Sequence, residues 1–393
     1  MSPSDSVSRR TVLASLAAAT TDGCLGPLSP SPSGPAVSWS GDCGLLPSSR
    51  PGVWGWERGG PSATASLPSG PTAPTEETWR RDVEPSGGLV RAGSTLFVGT
   101  RDGVLALDSA SGETVWRDTR ESRIRELAID GDAVYAVRGP DDTFVALDAE
   151  TGEERWTADE ATGVALPFDG GVFADWDDSA LAAGLDGATG EQCLSYSHER
   201  GGRLSAAADE SRLYVSSVRH GGDSPTNSYV AALDPSDASI GWRTEVGITL
   251  EVGLAVRDGT VYAVDSEQLH ALSTTDGSTE WTVPHDLGHE SSGSPAVTDD
   301  RVFFRDADRL VAFDAATGDE RWSVAEASLP DDSANPVVAG DAVYVPSDDH
   351  DRVRGFDAAT GDPVEAPGPT LSTVALGPDA LYATDRHAVG RFE

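Results

Sequence analysis

The phrase VAFDAATGDERW, Val311 to Trp322, has relatives along most of the chain: LALDSASGETVW, VALDAETGEERW, AAGLDGATGEQC, VAALDPSDASIGW, LHALSTTDGSTEW and VRGFDAATGDPV. Its marker position falls at Asp108, Asp148, Asp186, Asp234, Ser273, Asp314 and Asp357, at spacings of 38 to 48 residues. Upstream of the markers lies a second constant, as in STLFVGT, DAVYAVR, GTVYAVD and DAVYVPS, where apolar residues alternate around a central aromatic. Such alternation marks a half-buried strand. A period near 40 that contains only strand patterns specifies a β-propeller. Each unit contributes an inner strand, the aromatic strand, a strand ending at the marker, and an outer strand.

The phrase itself reads as scaffold. The marker Asp can cap backbone N–H groups two or three residues on, and the Gly after Ser or Thr takes a positive φ. Trp116, Trp156, Trp242, Trp281 and Trp322 follow the marker by eight residues, where each can bury its ring against the neighbouring blade. Regular placement on the outermost strand favours that role over stacking on a cofactor.

The last segment, LSTVALGPDALYATDRHAVGRFE, supplies three strands and stops at Phe392 and Glu393, while TEETWRRDV supplies a fourth-strand pattern with Trp79 and no blade before it. Joining them completes eight blades. The expected fold is all-β: an eight-bladed β-propeller of four-stranded antiparallel blades over residues 76–393, closed by the N-terminal strand so that the ring has no open edge.

The balance of 65 acidic against 28 basic residues gives a net charge of −37, and no lysine occurs. A surface this acidic repels nucleic acid phosphates and anionic headgroups, which argues against both as partners. A 38% hydrophobic content with 10 Trp argues against disorder. Acidity without lysine resembles the proteins of salt-accumulating haloarchaea, where concentrated salt screens the self-repulsion.

Residues 1–24 read as an export signal, with Arg9 and Arg10 ahead of an apolar run of about ten residues, too short to span a bilayer. The twin arginines resemble a Tat signal. Cys24, Leu25 and Gly26 resemble a haloarchaeal lipobox, which implies lipidation of Cys24, although Thr21 and Asp22 stand where that motif has small apolar residues. Residues 25–75, with LSPSPSGP and LPSGPTAPT, read as a flexible or PPII-like linker. The expectation is an exported monomer at the outer face of the cytoplasmic membrane or beyond, touching the membrane only through the lipid. Cys24, Cys43 and Cys193 show none of the paired spacings of a zinc site or redox motif, and whether Cys43 and Cys193 pair is left open.

The repeats resemble those of the pyrroloquinoline-quinone-like propellers, with their LYVGT…GVLALDAATGEXXW pattern, over about residues 76–393. The stretch from Trp54 to Arg80 resembles the lead-in of exported archaeal members. A fold hosts many activities, and here the resemblance implies two. Quinoprotein dehydrogenases use the quinone with calcium, an adjacent cysteine pair, a Trp under the quinone ring and a catalytic Asp. This chain has no adjacent cysteines and lacks the long insertions that build that pocket. BamB-like assembly lipoproteins bind proteins and bear no cofactor. The resemblance therefore implies a binding or assembly scaffold with protein partners on its loop face and no cofactor, quinone included. A quinone-dependent dehydrogenase is the alternative, and a metal- or small-ligand-binding surface protein a second.

In a propeller, the loops between second and third strands and those between blades share one face. The longest such loop runs from Arg219 to Ser228, Trp176 is the one Trp on this rim, and Arg219, His220, His350 and His387 join it as candidate contacts. His285 and His289 flank Asp286 in one interblade loop, followed by Glu290. That set has the imidazole and carboxylate chemistry of a zinc, copper or nickel site, against the plainer reading that polar loops collect histidine. No nucleophile, base and orienting group can be paired from spacing, and the absence of lysine removes Schiff-base chemistry. The sequence names no catalytic residue.

Overall fold

The computed structural model describes most of residues 63–393, with short gaps in the loops, together with Gly59 and the backbones of the strands Ala36–Trp39 and Val53–Trp54. The export signal and Cys24 lie outside the described residues. Eight antiparallel sheets follow one another as blades 1 to 8, and the described residues include no helix. Blade 1 sets the pattern with Pro85–Ala92, Thr95–Thr100, Gly103–Asp108 and Thr114–Arg117.

Blade 8 is built from both ends of the chain, as expected. Thr373–Leu376, Leu381–Thr384 and Ala388–Phe392 are completed by Glu77–Asp82, with Ala388 opposite Asp82 and Arg391 opposite Trp79. The join continues past the strands, where Thr75 N and Glu76 N donate to Glu393 O at 2.9 and 3.1 Å. The inner strand of blade 8 adjoins that of blade 1, which closes the ring.

The repeated phrase forms the predicted turn. Asp108 Oδ1 accepts from Ser111 N at 2.8 Å and from Ala110 N at 3.2 Å, and Gly112, at φ 71°, donates its N–H to Asp108 O at 2.8 Å. The same turn recurs at Asp148, Asp186, Asp314 and Asp357.

The tryptophans join blades. Within a blade, the central aromatic of the second strand and the Trp of the fourth face each other across a small residue of the third: Phe97, Ala106 and Trp116 stand in register, as do Tyr135, Ala146 and Trp156. Ring centroids are 5.8 Å apart for Phe97–Trp116 and 6.0 Å for Tyr135–Trp156. Each Trp then reaches the marker turn of the next blade. Trp116 Nε1 donates to Ala149 O at 2.9 Å, Trp156 Nε1 to Gly187 O at 2.9 Å, and Trp79 Nε1 to Ser109 O at 3.1 Å across the closure. Trp242, Trp281 and Trp322 do the same to Thr274, Ala315 and Ala358. The turn glycine serves this contact as well as the φ angle, since a Cβ on Gly190 would sit 2.6 Å from the Trp156 ring.

The segment expected to be a linker is in part built into the ring. Val53–Trp54 pairs with the inner strand of blade 1, and Ser66–Leu67 lies parallel to Val337–Ala339 of blade 7. Blades 6 and 7 have short inner strands whose channel-side N–H groups need acceptors. Val297 N, Val338 N and Gly340 N donate to the carbonyls of Thr64, Ala65 and Leu67. Ala63 and Ala65 are buried, both at positive φ. These contacts lie at the ends of the inner strands away from the loop face. A third added strand, Ala36–Trp39, pairs with the outer edge of blade 3.

Two predictions follow from the turns and the Trp contact. Trp156 is buried and hydrogen-bonded to the next blade, so Trp156→Ala should lower unfolding free energy by about 3–5 kcal/mol; denaturation at high salt checks this. Arg155, hydrogen-bonded to the Asp148 carboxylate at 2.7 Å, holds that carboxyl down to about 2, helped by Thr151 and Glu150 N–H groups. A depressed folded-state pKa adds stability in full above the unfolded value, about 4, and loses it as pH falls through about 2. Asp148→Asn should therefore melt below the parent at neutral pH, and the gap should narrow between pH 4 and 2.

Candidate ligand face

A position three residues after each central aromatic falls at the loop face: Thr100, Arg138, Trp176, Ser217, Asp265, Asp306, Ser347 and Asp385. Where side chains are described, most of these residues tie a hairpin to a blade linker. In blade 2, Arg138 bonds Asp118 of the preceding linker at 2.6 Å and Glu154 at 3.0 Å, and Arg120 pairs with the same Glu154. In blade 5, the Asp265 carboxylate accepts from Gly247 N of the preceding linker at 2.6 Å, from Glu267 N at 2.7 Å and Gln268 N at 2.8 Å of its own hairpin, and sits 2.6 Å from His270 Nε2. Asp306 accepts from Asp286 N at 2.7 Å. Asp385 accepts from His387 N at 2.7 Å and pairs with Arg80 of the closing strand.

Asp265 is 1% exposed. Burial alone would raise its pKa, yet the hydrogen bonds from His270, Glu267 N and Gln268 N together hold it below the usual carboxylate range. It is an ionised buried acceptor rather than an open metal ligand.

The predicted site residues are described in part. His285 is half-buried: its Nε2 donates to Asp265 O at 3.0 Å and its ring packs on Phe304 at 5.1 Å. Burial pushes its imidazole below the ordinary value. The backbone of Asp286 is tied to Asp306 and its side chain is exposed. His289, Glu290 and His350 lie outside the described residues, and among the described residues no three His, Cys, Asp or Glu side chains converge as for a metal. His387 is exposed at the blade 8 hairpin. Trp176 ends the strand Gly171–Trp176, paired with Ala161 and Leu181. Arg219 and His220 end Leu213–His220, opposite Asn227 and Pro225.

The stretch from Arg219 to Ser228 is thus largely strand. Blade 4's hairpin has strands of 8 and 9 residues, against 6 and 6 in blade 1, and projects as an arm from the face. The linker-tying position is a fixed offset from the central aromatic, a spacing present in the sequence.

These features define a class, an eight-bladed propeller with a clamped loop face and, among the described residues, an extended hairpin in blade 4. The family model described as outer membrane protein assembly factor BamB matches residues 72–224 and 226–366. The chain belongs to that family. Among solved structures it is similar to BamB from Moraxella catarrhalis, at 20% identity over 81% of this chain and 99% of that one, with a TM-score of 0.66. It is similar also to the quinohemoprotein alcohol dehydrogenase from Comamonas testosteroni, at 14% identity over 86% and 80%, TM-score 0.66. The computationally designed Ika8 protein aligns at 14% identity over 81% and 98%, TM-score 0.61. At these identities the likeness is one of fold. No curated protein matches the sequence.

Asp265→Ala would leave Gly247 N, Gln268 N and His270 without their acceptor inside the blade 4–5 seam. We expect a loss of about 3–5 kcal/mol, read by denaturant unfolding at high salt; an unchanged midpoint would contradict the clamp.

Proposed function

We propose that this protein is an exported binding scaffold, held at the cell surface through Cys24, that docks protein partners on its loop face. Membership of the assembly-factor family supports the scaffold reading. The observation that carries the docking site is the blade 4 arm, which lifts Arg219 and His220 above the face of a chain whose net charge is −37. With Arg219 and His220 set against Asp223, the arm is near neutral on a strongly acidic body, which makes it a marked place for a partner to read. Screening in the concentrated salt that such a composition suits leaves shape and apolar contact to supply most of the affinity. The twin-arginine segment and the cysteine at position 24 support export and anchoring.

The quinoprotein reading draws on the likeness to the alcohol dehydrogenase. It calls for alcohol oxidation on addition of the quinone and calcium, which the scaffold reading does not.

The test is in-cell crosslinking at native salt, comparing the parent with a variant whose arm is cut at 219–228 to a two-residue turn. With equal melting points, the parent should retain protein partners that the variant loses. Identical partner sets would place docking elsewhere. Cys24→Ser should release the protein from the membrane into the medium.

A further inference from the structure

Six of the eight blade junctions carry the Trp contact; those from blade 3 to blade 4 and from blade 7 to blade 8 do not. Leu194 stands opposite Gly184 where other blades put Trp, and the blade 4 turn, Asp234 to Ser239, has no glycine to receive one. Ring and receiving turn have changed together.

Beside Leu194 is Cys193, which is disulfide-bonded. Cys193 is the bulged residue of its outer strand, skipped between Gly184–Leu194 and Leu185–Gln192. The equivalent bulge residues in other blades are Thr78, Val115, Arg155, Gly241, Glu280 and Arg321, all exposed or half-exposed. Cys193 alone of these is buried, at 6%. Its edge is also the one outer edge, among the described residues, that carries an added strand, Ala36–Trp39.

We propose that Cys193 is bonded to Cys43, and that this staple fixes the Ala36–Trp39 strap across blade 3 in place of the missing Trp contact. The strap runs antiparallel to Gln192–Ser197, from Ala36 opposite Ser197 to Trp39 opposite Leu194. Cys43 lies outside the described residues, but it is only four positions along the chain from Trp39, a reach of about 13 Å at most, and Trp39 stands opposite the neighbour of Cys193. Cys24 leaves from the other end of the strap, so its closure would span a longer loop. In the bonding step each thiol gives up one proton and one electron, an S–S bond forms, and the disulfide of a thiol–disulfide oxidant takes both to become a dithiol. That chemistry belongs to an oxidising compartment, and it leaves Cys24 as the one cysteine outside the bond. The staple depends on neither the partner nor the docking arm of the functional proposal.

Arginine-specific cleavage leaves Cys24 and Cys43 in one peptide, so the purified, unreduced protein should be digested at Trp39 and before Asp42 as well. Mass spectrometry should find a Cys43–Cys193 peptide pair that separates on reduction. Cys43→Ser and Cys193→Ser should each lower the melting point, and the double variant should melt with either single one, because all three remove one bond. A Cys24–Cys193 pair, a disulfide-linked dimer, two thiols that alkylate without reductant, or additive losses in the double variant would each overturn the proposal.

Discussion

The contact on which the rest of the structure depends is a Trp of one blade seated on the turn of the next. A four-stranded blade has two faces and cannot bury both alone; the indole covers part of one and donates its N–H to a backbone carbonyl of its neighbour, as Trp116 does to Ala149. Strand-two aromatic, small third-strand residue, Trp and turn glycine form one belt, repeated from blade to blade. Stability in a repeat array resides in such neighbour contacts as much as in the units themselves. The belt is interrupted at two junctions. One lies at blade 3, with Leu194; the other at blade 7, where Val364 stands opposite Gly355. The first faces the strap Ala36–Trp39, and the second faces the blade that Glu77–Asp82 completes.

The two faces of the ring therefore carry different work. Turns and tryptophans hold the outer side, while among the described residues Arg138, Asp265 and Asp306, each three past an aromatic, tie the loop face to the blade linkers. Those carboxylates and guanidinium groups are committed to linkers, which leaves the hairpin tips to vary. Blade 4 has used that freedom to extend Leu213–His220 and Pro225–Leu233. The family membership and this arm point the same way, toward recognition by a rigid ring with a variable rim.

Blade number, strand order and closure through Trp79 were legible because they rest on local patterns: alternation, a capped turn and a spacing. The docking of residues 63–67 was not, since small residues in a Ser- and Pro-rich run have the composition of a linker, and only the short inner strands of blades 6 and 7, with N–H groups to satisfy, select them. The role of Asp265 comes from Gly247, which is distant in sequence. The imidazole of His285 bonds Asp265 O across a hairpin, a contact no spacing encodes. The burial of Cys193 likewise becomes visible only beside Val115 and Arg321 at the same bulge.

Glu77–Asp82 completes blade 8, and as an integral strand it should open only with the whole ring. Amide hydrogen exchange at native salt, read by mass spectrometry on peptides covering 77–82, 388–392 and 103–108, tests it most directly. If the ring opens only as a whole, the closing strand, its partner and the interior strand of blade 1 exchange with the same free energy of opening. Exchange of 77–82 and 388–392 well ahead of 103–108 would show a ring that unlatches at its termini, and would contradict the account.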